Sequence, residues 1–268
     1  IKRIHDRYAD IPEIRKRARL EADLAFRHDH LVEMIGCVES VTGRGPLFII
    51  SKFVSGVNID RFVAANFGTL PDDKRQRHIV EMLYPVLEAL DYIHGYNIVH
   101  LDIKPANIMV ESGRNIRLMD MGISFVAGDR NRRQGATAAD NSSSASGLQG
   151  TPKYAAPEQF GEEYGCGPIT AATDIYEFGI ALYELLTGFN PFMGQSLEDT
   201  LDRHLRTVLP ESQGISRPVL EVLRKATAPQ PQDRYNNVRA LRRDLEAALN
   251  YKPTLWEKLR DKVSNRHK

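Results

Sequence analysis

The amino-acid sequence predicts an α+β fold in two lobes, a small β-rich part followed by a mainly helical one. Strand-like runs cluster before residue 54, and apolar residues recur at three- and four-residue steps from about residue 72. A strongly apolar helical stretch then precedes several amphipathic ones between 171 and 250. With 268 residues, 42% of them hydrophobic, the chain is long enough to bury a sizeable core.

The opening IKRIHD looks like the middle of a strand with no cap or leader before it, so a start further upstream is expected. Residues 11–26, IPEIRKRARLEADLAF, carry good helix formers after Pro12, which suits a first helical turn. LVEMIGCVESV and LFIISKFV flank the turn TGRGP and read as a hairpin. In RHIVEMLYPVLEALDYIHGYN, the residues Ile79, Met82, Leu83, Val86, Leu87, Leu90 and Ile93 mark one buried helix face, with Gly95 as its stop. NIMV and NIRLMD around ESGR form a second, small hairpin. The stretch GDRNRRQGATAADNSSSASGLQG has almost nothing to bury and is expected to be mobile. AATDIYEFGIALYELLTG is an apolar helix, and amphipathic helices follow, the last carrying Val238, Leu241, Leu245 and Leu249. The basic tail after Pro253 reads either as a solvated helix or as a segment touching a membrane surface.

Composition narrows the classes of function. Net charge is +1, from 36 basic and 35 acidic side chains, so no global field draws nucleic acid or a membrane surface, and no nucleic-acid partner is expected. Two cysteines, Cys37 and Cys166, are too few for a disulfide framework and point to a reducing compartment. A cytoplasmic placement is expected, alone or as the cytoplasmic domain of a larger protein with a membrane tether elsewhere. His28 and His30 form an H-x-H without an evident third metal ligand.

In HLDIKPANIMV the chain places Asp102, Lys104 and Asn107 within six residues between two apolar runs. Alone, DIKPAN also reads as a polar turn before a strand. The order of a small α/β part, a helical part and acidic and amide residues at their junction resembles the eukaryotic-type protein kinases. Their H-R-D-x-x-x-x-N pattern is matched at His100, Asp102 and Asn107. The resemblance implies that Asp102 orients an acceptor hydroxyl and takes its proton, that Lys104 covers the γ-phosphate, and that Asn107 ligates Mg²⁺. Asp120 in LMDMGIS matches the second metal-binding acid, with Met121 in place of the family's Phe. GTPKYAAPEQF resembles the substrate-docking loop and A-P-E closing of the activation segment, with Thr151 where the serine/threonine branch carries its Thr. The same stretch looks most like bacterial members of the family.

The resemblance also supplies structural and nucleotide-binding expectations. Asp174, Tyr176 and Gly179 match the buried helix whose acid anchors the catalytic-loop backbone, and Glu158 pairs with Arg234. Ser51 falls at the gatekeeper position, the backbone of Lys52 and Val54 faces adenine, and Met109 lies on its other side. Lys2 looks like the end of V-A-I-K and would hold the α- and β-phosphates, or else is a frayed terminal Lys. The glycine-rich loop expected ahead of it is not in this chain. Counting back from HDHLV puts the helix partner of that Lys at Arg19, and the nearest acid is Glu21, two residues and roughly 200° away on a helix. Leu101 replaces the Arg of H-R-D, so activation is expected not to depend on a phosphate contact there.

The expected organisation is a partial N-lobe over 1–54, a C-lobe over 55–250 with an activation segment over 120–158, and a basic extension over 251–268. The expected activity is ATP- and Mg²⁺-dependent phosphorylation of Ser or Thr on protein substrates, with self-phosphorylation in the Ser-rich stretch included. A pseudokinase or scaffold is the main alternative, and a small-molecule kinase of similar fold is another.

Overall fold

The computed structural model describes residues 1–4, 9–10, 12, 15–16, 18–19, 26–40, 42, 44–120, 125–126, 150–161, 164 and 166–252. The Ser-rich stretch 128–149 and the tail 253–268 therefore lie outside the described residues.

A three-stranded antiparallel sheet begins the chain, with β1 (Lys2–Ile4) and β2 (Met34–Glu39) on either side of β3 (Leu47–Ser51). β2 and β3 form the hairpin that the Gly/Pro turn predicts, and β1 sets Lys2 opposite Ile49. Leu47 and Ile49 point to one face, where they meet Ala9 and Ala18. Pro12, Arg15, Lys16, Ala18 and Arg19 are helical, as expected, but Phe26 is not. Phe26 is buried in irregular chain against Tyr92 and Tyr96, since its aromatic area gains more from that pocket than from another helical turn.

The helical part holds α1 (Ile59–Phe67), α2 (Asp72–Met82), α3 (Tyr84–His94), α4 (Ala171–Thr187), α5 (Leu197–Arg206), α6 (Arg217–Ala226) and α7 (Val238–Leu249). The single helix expected across residues 77–95 is two. Pro85 lacks an N–H and its ring crowds the preceding turn, so the chain resets at Leu83 before α3 starts. Gly95 caps α3 in right-handed geometry, and the left-handed turn falls instead on Asn97, at φ 58°. The shared core runs through Ile79, Leu83, Leu87, Leu90 and Ile93 to Ile175, Phe178, Leu182 and Leu245. α4 is buried almost throughout and is the axis of this part.

Between the two parts lie β4 (Gly56–Asn58), β5 (Ile98–Val99), β6 (Ile108–Glu111), β7 (Ile116–Leu118) and β8 (Phe125–Val126). β6 and β7 form the second hairpin, β4 flanks β6, and β5 pairs with β8. The end of β7 is also tied to the segment after the first helix, through Val32 N–H to Leu118 O at 3.0 Å and Leu118 N–H to His30 O at 2.8 Å. His28 and His30 serve backbone contacts here: the His28 ring accepts the His30 N–H, and the His30 ring meets Ile116 O. Among the described residues no cluster of three or more His, Cys, Asp or Glu side chains could hold a metal, and no helix is long and apolar enough to cross a membrane.

Candidate active site

The loop from His100 to Asn107 carries no ladder of its own, so its backbone donors need acceptors from elsewhere. Asp174, fully buried on α4, accepts the N–H of His100 at 2.9 Å and of Leu101 at 2.9 Å, and the His94 ring at 2.7 Å. Three charge-stabilising contacts offset the cost of burying this carboxylate. They also hold Leu101 at φ 68°, a left-handed conformation that costs a branched residue roughly 1–2 kcal/mol. The Leu101 side chain packs with Val99 and Ile169 in an apolar cluster.

Within this loop, a single 3₁₀ turn over Pro105–Asn107 brings the predicted polar side chains onto one point. Lys104 Nζ lies 2.7 Å from Asp102 Oδ2 and 2.6 Å from Thr151 Oγ1. The Thr151 hydroxyl donates to Asp102 Oδ1 at 2.7 Å. Asn107 Nδ2 donates to the Asp102 backbone oxygen and to Oδ2, each at 2.8 Å. Burial pushes the Asp102 carboxyl up, but the Lys104 and Thr151 hydrogen bonds outweigh it and hold the group below the usual carboxylate range. Asp102 is therefore ionised at neutral pH.

The β6–β7 hairpin carries Asp120 to the same place. Met119 N–H donates to Asn107 O at 2.8 Å, and the His100 ring bonds Met119 O at 3.1 Å. Asp120 follows in left-handed conformation, φ 54°, with its side chain half exposed. Its Oδ1 stands 3.2 Å from Lys2 Nζ. Lys2 thus meets the distant acid of the site. Arg19, at the helix position counted for a partner of Lys2, pairs with Glu39, as Arg15 does at 2.8 Å. Glu21 lies outside the described residues.

At the end of β3, Lys52 gives its N–H to Glu33 O at 2.8 Å, so that N–H is already taken within the protein. Val54 is buried just beyond, and Met109 on β6 sits half-buried opposite Asn58 and Arg117.

Thr151 is held by its surroundings. Gly150 has φ +108°, and a Cβ there would stand 2.6 Å from Leu101 O, so only glycine brings the segment this close. Arg234 and Glu158 form a bidentate pair at 2.7 and 2.9 Å with both side chains fully buried, as the resemblance implies. Tyr176 donates its hydroxyl to His204 Nδ1 at 2.8 Å, and His204 Nε2 reaches Pro152 O at 2.9 Å, next to Thr151.

The whole arrangement lies within residues 2–245, and that span matches the family described as protein kinase domain. The chain belongs to the protein kinase domain family. Among curated relatives, the serine/threonine-protein kinase PknB of Mycobacterium tuberculosis is 31% identical over 249 residues, covering 90% of this chain and 37% of the relative. Probable serine/threonine-protein kinase SCO3848 of Streptomyces coelicolor is 30% identical over 250 residues, covering 90% and 34%. Serine/threonine-protein kinase PrkC of Bacillus subtilis is 29% identical over 246 residues, covering 90% and 35%. The chain spans little more than a third of the length of these relatives.

Three contributors escape a reading of motifs in this kinase domain. Gln159 donates to Leu101 O at 3.3 Å, Glu177 accepts from Ile103 N–H, and His204 supports Pro152. Glu177 alone leaves a signal, an acid inside the otherwise apolar helix sequence around DIYEFG. His204 also sets a pH dependence. Burial pushes its ring down to about 4, against the pull of Pro152 O. An unfolded His near 6.5 takes a proton that the folded site refuses, so this contribution is complete above pH 6.5 and is lost as pH falls toward 4. Urea unfolding is expected to show a wild-type loss between pH 7 and 4.5 that exceeds that of His204→Gln by about 2–3 kcal/mol. Parallel pH profiles for the two proteins would contradict this.

Proposed function

We propose that this chain is a serine/threonine protein kinase domain that moves the γ-phosphate of ATP to Ser or Thr hydroxyls of proteins. The observation that carries the reading is the convergence of Asp102, Lys104, Asn107 and Thr151 on one point, with Lys2 and Asp120 paired beside it. In this reading the ionised Asp102 orients the acceptor hydroxyl and receives its proton, taking over the bond that Thr151 now makes. Lys104, already shared between Asp102 and Thr151, turns toward the transferred phosphoryl as negative charge shifts. Lys2 holds the α- and β-phosphates, the Lys52 carbonyl and Val54 N–H frame the base, and Met109 lines its other side.

The residues present suit Mg²⁺. Asn107 spends its amide N–H groups on Asp102, leaving Oδ1 for a cation, and the Asp120 carboxylate is half exposed. Mg²⁺ takes few protein oxygens and keeps waters and substrate phosphates, so Asn107 and Asp120 are an adequate protein set. When bound it supplies charge neutralisation across the phosphates. We also propose the boundaries of a small lobe over 1–54 and a large lobe over 55–250.

The non-RD character rests on Leu101, an uncharged side chain that packs with Val99 and Ile169. Replacing Ser142, Ser143, Ser144 and Ser146 with Ala together is expected to leave peptide phosphorylation within about twofold of wild type. A large loss would restore the phosphate switch. The activity itself is tested with labelled ATP, Mg²⁺ and a generic protein substrate, followed by phosphoamino-acid analysis. Phosphoserine or phosphothreonine is the expected product. Label on tyrosine would refute the specificity, and no transfer would favour the scaffold alternative.

A further inference from the structure

Glu177 is a buried acid to which the roles above give no task. It stands on α4 three residues after Asp174, wholly inside the protein. Its Oε2 accepts the Ile103 N–H at 2.7 Å, and its carboxyl also meets the Gln159 carboxamide. The consecutive N–H groups of residues 100–103 are all taken by side chains: Asp174 receives those of His100 and Leu101, the His100 ring that of Asp102, and Glu177 that of Ile103. Glu177 completes this set at the peptide just after Asp102.

The same side chain lies where the 150–159 segment reaches the loop. A Cβ on Gly150 would stand 3.6 Å from Glu177 Oε1 and 3.0 Å from Gln159 Nε2. Gln159 in turn bonds Leu101 O and accepts the Ala156 N–H at 2.6 Å. The contact between loop and segment therefore passes through amide and carboxyl groups, with the apolar Leu101 side chain turned into its own pocket.

We propose that Glu177 is a positioning residue for phosphoryl transfer: by holding the Ile103 N–H it fixes the peptide after Asp102, and with it the direction of the Asp102 carboxylate. The inference rests on the kinase reading given above. Its chemistry fits the surroundings. Burial pushes the Glu177 carboxyl well above the usual range, the charges of Asp174 and Asp102 push it the same way, and the Ile103 N–H and the Gln159 carboxamide oppose them only in part. Asp174 is itself bonded to His94, and Asp102 to Lys104.

The test uses the whole chain in three variants. Glu177→Ala, and Glu177→Leu to fill the volume without an acceptor, are expected to lower kcat by about 10- to 100-fold, with KM for ATP within about threefold. Glu177→Gln keeps an acceptor of the same shape and is expected to restore kcat to within about threefold. Hydrogen exchange of the Ile103 amide is expected to speed up about tenfold or more in the Ala and Leu variants, but not in Gln. Folded Ala or Leu variants with wild-type kcat, unchanged Ile103 exchange, or a Gln variant as impaired as Leu would each overturn the proposal while leaving the kinase reading standing. A wild-type protein that labels no substrate would overturn both.

Discussion

Asp102→Asn is expected to reduce phosphoryl transfer by about 10²- to 10⁴-fold, with the protein still folded. The carboxamide keeps the size of the side chain and still offers one oxygen to Thr151 or Asn107. It has lost the charge that Lys104 compensates at 2.7 Å and the basic oxygen that takes a proton. The loss should fall on kcat rather than on KM for ATP, because Asp102 faces the acceptor hydroxyl in this reading and the nucleotide contacts lie on Lys2, Lys52 and Val54. Initial rates of label transfer to a peptide, measured across ATP concentrations, separate the two. Equal kcat in wild type and variant would remove Asp102 from the chemistry. Asp120→Asn serves as the companion: it should lower activity in a way that added Mg²⁺ partly offsets, since it weakens a cation site and leaves the proton acceptor in place.

Arg234→Ala is expected to cost about 3–5 kcal/mol of stability, a fall of about 10 °C in melting temperature for a chain of this size. Both partners of the Arg234–Glu158 pair are fully buried. Arg234 also donates to Ala172 O, Ala228 O and Pro229 O, and Glu158 accepts from Thr173 at 2.7 Å. Removing the guanidinium strands an ionised carboxylate and several carbonyls inside the core. Glu158→Ala should be similarly severe, yet the double variant should cost clearly less than the sum, because no unpaired charge then remains. Additive costs in thermal or urea unfolding would mean that the two side chains do not act as a pair.

Much of the site was legible because its parts lie close together in the chain. Asp102, Lys104 and Asn107 sit on a loop whose Pro105 starts a single 3₁₀ turn, and so short a stretch leaves little freedom in where three side chains can meet. Helix α4 was legible from its strongly apolar sequence, and the β6–β7 hairpin from its turn. The helix expected over 77–95 failed at Pro85, where local chemistry overrode a continuous apolar stripe. Arg19 illustrates a different limit: counting along a helix gives a position, whereas the strand opposite decides the partner, here Glu39.

By itself, then, the order of residues determined the elements, the loop chemistry and the family likeness, since each depends on spacings of a few residues and on side-chain type. Only the tertiary structure decided that Lys2 meets Asp120 across 118 residues and that Glu177 lies under Ile103. Those contacts come from separate elements whose register is set by packing of the whole core. An acid on a helix face carries no mark of the backbone N–H it will meet until α4 and the loop are brought together.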